Sequence, residues 1–174
     1  KKLLDDETIR DTMNGDGDPK HTVLADLDQH AKNVLLPDDH PDKPEFNTPF
    51  WKMDLIEEYF FTGYLFNIIK KKTNQDFFIT RCYCNGHTYG TSGLFHIDWD
   101  DNTGRTVLLY ANDTWKQEWG GKTVFDLNGK YHYNEFIPNS LVIFPGIIPH
   151  RAEPISRSYT GLRKTVAWKL LLKD

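Results

Sequence analysis

The chain has 174 residues, a formal net charge of −4 and an aromatic content of 14%. This length suits one domain with a core large enough to be stable by itself. The net negative charge argues against nucleic acid as a general partner, because proteins that bind a phosphate backbone usually carry an excess of basic residues. No apolar run approaches the roughly 20 residues that cross a bilayer, so we expect no membrane partner.

The first third of the chain predicts helices and loops. Apolar residues recur at helical spacing over about residues 20–36, and three prolines within residues 37–44 then require a loop. Thr48-Pro49 is typical of a helix N-terminus, and from Trp51 to Ile69 large apolar residues recur every three or four positions. Lys70-Lys71-Lys72 suits the C-terminus of this helix. We therefore predict a principal helix that packs on the outside of a sheet.

From residue 77 onward the sequence predicts short β-strands separated by turns such as Asn85-Gly86 and Asn128-Gly129. The predicted strands are Phe77–Cys84, Leu94–Trp99, Arg105–Tyr110, Lys122–Asp126, Ser140–Phe144, His150–Pro154 and Arg163–Leu172. Short strands at this spacing, without helices between them, are typical of a sandwich or barrel. The predicted fold is therefore mainly β with N-terminal helices.

Two histidines and one aspartate form a candidate metal site. His96 and Asp98 are two positions apart on a predicted strand, so their side chains point to the same face. His150 begins another predicted strand and can approach that face from a distant part of the chain. Two histidines and one carboxylate, with the remaining coordination positions free, form the ligand set expected of non-haem Fe(II) oxygenases.

The last predicted strand carries a candidate acid-binding pair. Arg163 and Thr165 are also two positions apart and share a face, next to the apolar residues 166–168. A guanidinium that points into the interior needs an anion, because a buried unpaired charge is costly. A carboxylate is its natural partner. The sequence therefore predicts a receptor for a small acid in the same barrel as the metal site.

The order of these motifs resembles the prolyl 4-hydroxylase-like branch of the Fe(II)/2-oxoglutarate-dependent dioxygenases. The matching segments are Gly93–Asp98, Trp119-Gly120-Gly121, Pro149-His150 and Arg163-Lys164-Thr165. The resemblance covers roughly residues 77–172 and implies a double-stranded β-helix (jelly-roll) core. It also implies that the chain, 1–174, is a single dioxygenase domain in which residues 1–76 supply helical support and loops.

The resemblance also implies a co-substrate pocket. Arg163 matches the basic residue that binds the distal carboxylate of 2-oxoglutarate, and Thr165 matches the hydroxyl two positions on. Tyr110 falls where relatives often place a tyrosine hydroxyl on that carboxylate, and Tyr83 resembles a tyrosine that lines the pocket. Whether the adjacent Lys164 shares the role of Arg163 is left open by the sequence.

The activity implied is hydroxylation of a C–H bond, coupled to oxidative decarboxylation of 2-oxoglutarate. His96, Asp98 and His150 match the catalytic metal ligands, and Asp98 stands where related halogenases leave a position for chloride, so hydroxylation is the expected reaction. The expected cofactors are Fe(II), 2-oxoglutarate and O₂, with ascorbate as a further candidate. We expect the substrate to be a prolyl residue in a peptide or protein. The alternatives are a free amino acid or other small molecule, or a non-catalytic cupin-like module that binds a metal or ligand.

The remaining histidines and three tryptophans are expected to have ordinary roles. The histidines that we expect to be solvent-exposed are His21, His30, His40, His87 and His132. Trp99, Trp115 and Trp119 flank loops near strand ends, where they either contact a substrate or pack in the rim of the fold.

The two cysteines are expected to be buried thiols. Cys82 and Cys84 would lie side by side on one face of a strand, which is poor geometry for a disulfide. Two thiols are also too few for a zinc motif. This favours a reducing, cytoplasmic location.

Overall fold

The computed structural model describes residues 21–23 and 50–173. The elements in chain order are β1 (His21–Val23), β2 (Trp51–Asp54), a π-helical segment (Phe60–Leu65), α1 (Phe66–Thr73), β3 (Phe77–His87), β4 (Gly104–Tyr110), a 3₁₀ turn (Gln117–Trp119), β5 (Thr123–Leu127), β6 (Lys130–Asn134), β7 (Leu141–Pro145), β8 (His150–Ala152) and β9 (Arg163–Leu172).

The described strands form two antiparallel sheets. The larger sheet has six strands in the order β1-β2-β3-β9-β4-β7, and the smaller has three in the order β6-β5-β8. The sheets face each other, because the hydroxyl of Tyr110 on β4 lies 2.8 Å from the hydroxyl of Thr123 on β5. Sheet neighbours that are distant in sequence, such as β3 and β9, are what a chain winding between two sheets produces. The mainly β, jelly-roll fold class is therefore confirmed.

The outer face of the larger sheet packs against the helix. Successive residues of β9 point to opposite faces, so Val166 and Trp168 reach the outer side and join a hydrophobic core with Phe61 and Phe66. The Trp168 indole N–H donates a 3.1 Å hydrogen bond to the Phe61 carbonyl, which fixes the helical segment on the sheet. Each large side chain buried here stabilises the fold by roughly 1.5–3 kcal/mol. The alternate residues of β9 point inward, toward the smaller sheet.

The predicted start of the principal helix is wrong. Trp51–Asp54 is strand β2, and its register with β3 sets Trp51 opposite Gly86. Trp51 and Met53 pack against the hydrophobic core, a two-residue period that the wider helical spacing conceals. Pairing with β3 overrides the helical preference, and the helical turns begin only at Phe60. The predicted end is close to correct, since α1 ends at Thr73 after the three lysines.

The structure describes only part of the N-terminal region for which helices and loops are predicted. Residues 21–23 are extended and pair with β2, so the helix predicted over about residues 20–36 is wrong at its start. The rest of that helix, the proline-rich loop and Thr48-Pro49 lie outside the described residues. The division into support (1–76) and core (77–172) within one domain stays a prediction, although β2 already extends the larger sheet upstream of residue 77.

Six of the seven predicted strands are present with small shifts of their ends. The exception is Leu94–Trp99, which makes an isolated bridge instead of a regular strand. The Asn85-Gly86 turn is also wrong, because β3 continues to His87 with partners on both sides. Strand β6 was missed, since it is short and mostly exposed, and its only large hydrophobic side chains are two tyrosines. The Asn128-Gly129 turn before it is confirmed, and both residues have positive φ angles, as a tight hairpin requires.

Both cysteines are buried and free, as predicted. They belong to the hydrophobic core between the sheet and the helix. Burial raises the pKa of each thiol to about 12, so both are neutral at physiological pH. In the described part of the chain, no helix has the length and apolar character to cross a bilayer.

Candidate metal centre

Two reciprocal backbone hydrogen bonds bring His96 and His150 together. The His96 N–H donates to the His150 carbonyl at 3.1 Å, and the His150 N–H donates to the His96 carbonyl at 3.0 Å. Directly paired residues project to the same side, and the two imidazole centroids are 4.4 Å apart. Gly93 anchors the same segment on Ala152, where a Cβ atom would meet the Ala152 nitrogen at 2.9 Å. The glycine therefore permits the close backbone approach that the bridge needs.

Asp98 completes a compact set of ligand atoms. One ligand atom from each of His96, Asp98 and His150 lies within 4.8 Å of the other two. The His96 Nε2 atom is 3.6 Å from one Asp98 oxygen, and the His150 Nε2 atom is 3.2 Å from the other. The structure thus brings together the three residues that the sequence singled out.

Backbone carbonyls orient both imidazoles. The Nδ1 atom of His96 is 2.9 Å from the Leu94 carbonyl, and that of His150 is 2.9 Å from the Ile148 carbonyl. A carbonyl can only accept, so each Nδ1 carries the proton and the neutral ring presents the Nε2 lone pair to the site. A lone pair on Nε2 and a carboxylate oxygen repel each other, and a cation bound between them removes that repulsion. This is the arrangement by which proteins fix histidine ligands to metals.

The second oxygen of Asp98 is held by two residues on neighbouring strands. Thr106 on β4 donates to Oδ2 at 2.5 Å, and the buried ammonium of Lys169 on β9 donates to the same oxygen. Burial alone would raise the pKa of Asp98, but the charge of Lys169 holds it well below its usual range. Burial likewise opposes the charge of Lys169, yet the charge of Asp98 raises the pKa of Lys169. Both groups are therefore ionised at neutral pH.

The inner face of the larger sheet carries four rows of neighbouring side chains. Strand register defines these rows as His87–Arg163, Asn85–Thr165–Tyr110, Tyr83–Ala167–Leu108 and Arg81–Lys169–Thr106. The last row touches Asp98, and the first two lie at the opposite end of β9. Ala167, in the row between these ends, contributes only a methyl group.

Arg163 occupies the other end of this face and is 2% exposed. Its Nε–H donates a 2.7 Å hydrogen bond to the Gly121 carbonyl, and its guanidinium carbon lies 5.1 Å from the Phe136 ring centroid. Gly121 has a φ of +73°, and a Cβ atom there would lie 3.0 Å from the arginine side chain. No carboxylate of residues 50–173 forms an ion pair with this guanidinium, and burial lowers the pKa of Arg163 to about 10. Such a group is suited to receive an anionic ligand.

Comparison with known proteins identifies the family. A family model described as the 2OG-Fe(II) oxygenase superfamily matches residues 81–168, just over half of the chain. The chain belongs to the 2OG-Fe(II) oxygenase superfamily. No curated protein matches this oxygenase.

Solved structures of low sequence identity share the fold of this oxygenase. A prolyl-4-hydroxylase from Pseudomonas putida is 19% identical, with a TM-score of 0.55 over 84% of this chain and 80% of that one. A 2OG-Fe(II) oxygenase family oxidoreductase from Burkholderia pseudomallei is 10% identical, with a TM-score of 0.59 over 94% and 90%. A Trichoplax adhaerens prolyl hydroxylase, in complex with a hypoxia inducible factor oxygen degradation domain peptide fragment, is 15% identical, with a TM-score of 0.58 over 95% and 88%.

The residues of this oxygenase fit the ion and the co-substrate that its family implies. The two Nε2 atoms and the carboxylate are nitrogen and oxygen donors of the kind that Fe(II) takes in oxygenases. At the other end of the face, the Arg163 guanidinium is buried and has no carboxylate partner among residues 50–173, so a dianionic co-substrate would balance its charge. Asn85 shares a row with Thr165 and Tyr110, so polar groups converge where 2-oxoglutarate would lie.

The structure places the other predicted residues as follows. Tyr110 accepts a 2.8 Å hydrogen bond from Asn134 and lies in the row next to Arg163, and Tyr83 lies on the same inner face. Lys164 alternates with Arg163 on β9 and points away from the inner face, so it does not lie beside Arg163 on that face.

One histidine prediction is wrong. His87 is 7% exposed, lies opposite Arg163 and stacks on Phe50 at 5.2 Å, because β3 extends farther than predicted. His132 is exposed, as predicted, although it lies on β6. His30 and His40 lie outside the described residues, and for His21 only the backbone is described.

The three tryptophans pack within the oxygenase fold. Trp115 lies 4.3 Å from the Phe136 ring and 4.7 Å from Tyr159, and Trp119 lies 4.5 Å from Tyr159. Trp99 covers Gly104 and Gly146 so closely that a Cβ atom at either glycine would clash.

Sequence reasoning missed Lys169, Thr106 and Asn85. A signal for Lys169 was available, because the two-residue alternation that pairs Arg163 with Thr165 continues through Ala167 to Lys169. Thr106 and Asn85 carry no comparable signal, since their partners are set by strand register.

Replacing Lys169 by methionine should strongly destabilise the metal-free protein. The substitution leaves the Asp98 carboxylate buried without its cation, which costs about 3–5 kcal/mol in the free energy of unfolding. Mn(II) should restore part of that loss, because a bound dication compensates the same carboxylate. Urea unfolding with and without Mn(II) measures both effects, and Lys130→Met, at an exposed position of β6, is the control. If the two variants were equally stable, the Lys169 ammonium would not balance the buried charge of the Asp98 carboxylate.

Proposed function

We propose that this protein is an Fe(II)- and 2-oxoglutarate-dependent hydroxylase with His96, Asp98 and His150 as its metal ligands. The observation that carries the proposal is the convergence of three ligand atoms within 4.8 Å on the face that also holds the buried Arg163. A non-catalytic cupin-like module would have no need for that arginine. The family of the chain independently favours an oxygenase.

Each part of the site has a distinct task in this proposal. Fe(II), when bound, supplies the chemistry by which O₂ oxidises 2-oxoglutarate and a C–H bond of the substrate. The Leu94 and Ile148 carbonyls keep the histidine lone pairs directed at the ion, and Thr106 and Lys169 hold the second Asp98 oxygen. These contacts leave the other Asp98 oxygen to bind the metal.

Arg163, Thr165 and Tyr110 bind the distal carboxylate of 2-oxoglutarate in the proposal. Arg163 supplies the charge, and the two hydroxyls lie in the adjoining row of the inner face. A fixed distal end sets the direction of the reactive end toward the metal, which is a positioning effect. Tyr83 lines the same face nearer to Asp98.

The proposed substrate is a prolyl residue of a peptide or protein. Support comes from the two similar structures that are named prolyl hydroxylases, one of them in complex with a peptide fragment. Hydroxylation of a free amino acid or another small molecule is the second candidate. The cationic side chains of Lys52, Arg81 and Lys169 around the Tyr83 ring favour a small molecule that carries a carboxylate.

Succinate formation tests the proposed reaction. The purified protein is incubated with Fe(II), 2-oxoglutarate and O₂, and succinate is measured with and without proline-containing peptides. We expect iron-dependent succinate formation that rises when a substrate is present, together with a gain of one oxygen atom in the mass of that substrate. Absence of iron-dependent succinate formation from the folded protein under all these conditions would contradict the proposal.

A further inference from the structure

Three cationic side chains surround one aromatic ring beside the metal centre. The Lys52 ammonium lies 5.0 Å from the Tyr83 ring centroid, the Arg81 guanidinium carbon 5.2 Å and the Lys169 ammonium 5.9 Å. Register places Arg81 directly opposite Lys169, in the row that touches Asp98. Lys169 is buried and Arg81 is exposed, so this row of cations runs from Asp98 toward the protein surface.

When the site holds Fe(II) and 2-oxoglutarate, its positive charges outnumber its negative charges. A ferrous ion, a 2-oxoglutarate dianion, the Asp98 carboxylate and the Arg163 guanidinium together have no net charge. Lys169 adds one positive charge that this set does not balance. On β2, Lys52 and Asp54 are two positions apart and point to the same face, so the negative charge of Asp54 must also be counted in this sum. Because Asp54, opposite Tyr83 in the register, cancels only one of the three positive charges, the site keeps a net positive charge, and Arg81 is its exposed cation.

Arg81 can meet an incoming anion without losing another partner. No carboxylate among residues 50–173 forms an ion pair with its guanidinium, whose described contact is the face of Tyr83. The planar fork of an arginine matches a carboxylate through two parallel hydrogen bonds. A cleft that carries one sign of charge also concentrates ligands of the opposite sign.

We propose that Arg81, beside Tyr83, binds a carboxylate of the substrate and so selects acidic substrates for this oxygenase. This inference rests on the proposed function, because the carboxylate is positioned relative to the same metal centre. It narrows the substrate to a compound with an anionic group close to the C–H bond that reacts. A free amino acid and a peptide with an acidic side chain both supply that chemistry.

Paramagnetic relaxation measures anion binding without knowledge of the substrate. The protein is loaded with Mn(II) and saturating 2-oxoglutarate, and the relaxation of the methyl protons of acetate is compared with that of acetamide. We expect Mn(II) to relax acetate more strongly than acetamide, and we expect Arg81→Gln to lower the acetate effect by roughly threefold to tenfold. Arg81→Lys, which keeps the charge and loses the fork, should fall between the two.

Arg157→Gln is the matched control, because Arg157 is also exposed and lies 5.8 Å from a tyrosine ring, that of Tyr89. This control should relax acetate as the unchanged protein does. Equal relaxation of acetate and acetamide in the unchanged protein, or an acetate effect that survives Arg81→Gln, would overturn the proposal.

Matched substrates distinguish the two sources of the carboxylate. Free amino acids are compared with their amides, and capped peptides with glutamate are compared with the same peptides with glutamine, by the succinate that each releases. Stimulation by a free acid but not its amide indicates an α-carboxylate, and stimulation by glutamate but not glutamine peptides indicates a side chain. Stimulation by neutral compounds as strong as by their acids would contradict the inference. Failure of the proposed function gives a different pattern, in which acetate is held by Arg81 but no iron-dependent succinate forms.

Discussion

Replacing His96 by alanine should abolish iron-dependent succinate formation while the chain still folds. The imidazole supplies one of the three proposed ligand atoms, whereas the bridge to His150 uses backbone atoms that alanine retains. Loss of a residue that only orients a metal ligand typically lowers affinity or activity about 10–100-fold, so loss of a ligand itself should exceed that range. Succinate release at saturating 2-oxoglutarate measures the effect on activity, and titration with Mn(II) measures the effect on metal affinity.

The matched control is His132→Ala, which removes an exposed histidine from β6. This variant should retain both Mn(II) affinity and succinate formation. A thermal unfolding transition close to that of the unchanged protein would show that His96→Ala is folded. If His96→Ala formed succinate at the rate of the control, His96 would not be a ligand and the metal centre would have to lie elsewhere.

The placement of His96 beside Asp98 was predictable because it is local in sequence. His96 and Asp98 are two residues apart, and this separation puts both side chains on one side of any extended segment, even though the segment is not a regular strand. The pairing of His150 with the His96 segment could not be derived from residue spacing alone. Its position follows from a backbone bridge between residues more than fifty positions apart in the chain.

The helix prediction failed where tertiary pairing decides the structure. The apolar residues of Trp51–Asp54 fit a helical period and a strand period equally well over so short a stretch. Pairing with β3 selects the strand, and it also buries His87 and removes the predicted turn at Asn85-Gly86. One missed strand therefore explains three separate errors.

The residues around Asp98 were missed for a different reason. Thr106 and Lys169 come from two strands that are neighbours in the sheet but distant in the chain. A lysine in a mainly apolar strand has no evident partner in the sequence, because its counterion is brought there by the fold. The register that pairs Thr106 with Lys169 is what turns two ordinary residues into a support for one carboxylate oxygen.

Replacing Arg163 by methionine should raise the KM for 2-oxoglutarate and remove the preference for its distal carboxylate. A charge-assisted hydrogen bond contributes about 1.5–3 kcal/mol, which corresponds to roughly a 10–150-fold change in binding. The sharpest comparison uses 2-oxopentanoate, which has the same carbon chain with a methyl group in place of that carboxylate. The unchanged protein should prefer 2-oxoglutarate by this factor in kcat/KM, and Arg163→Met should use both compounds at similar, low rates. Tyr110→Phe, which removes one hydroxyl, should give a smaller rise in KM.

The same substitution should make the ligand-free protein more stable. Burial lowers the pKa of Arg163 from 12.5 to about 10, which corresponds to a cost of about 3 kcal/mol for keeping the guanidinium charged in the fold. Below pH 10 the group is charged in both the folded and the unfolded state, so the full cost is present at neutral pH. Methionine removes that cost but also the hydrogen bond to Gly121 and the guanidinium contact with Phe136, so the gain in stability should be smaller than about 3 kcal/mol. A higher melting temperature together with a higher KM would show that the arginine is retained for the acid it binds, whereas a lower melting temperature with an unchanged KM would make it a structural residue.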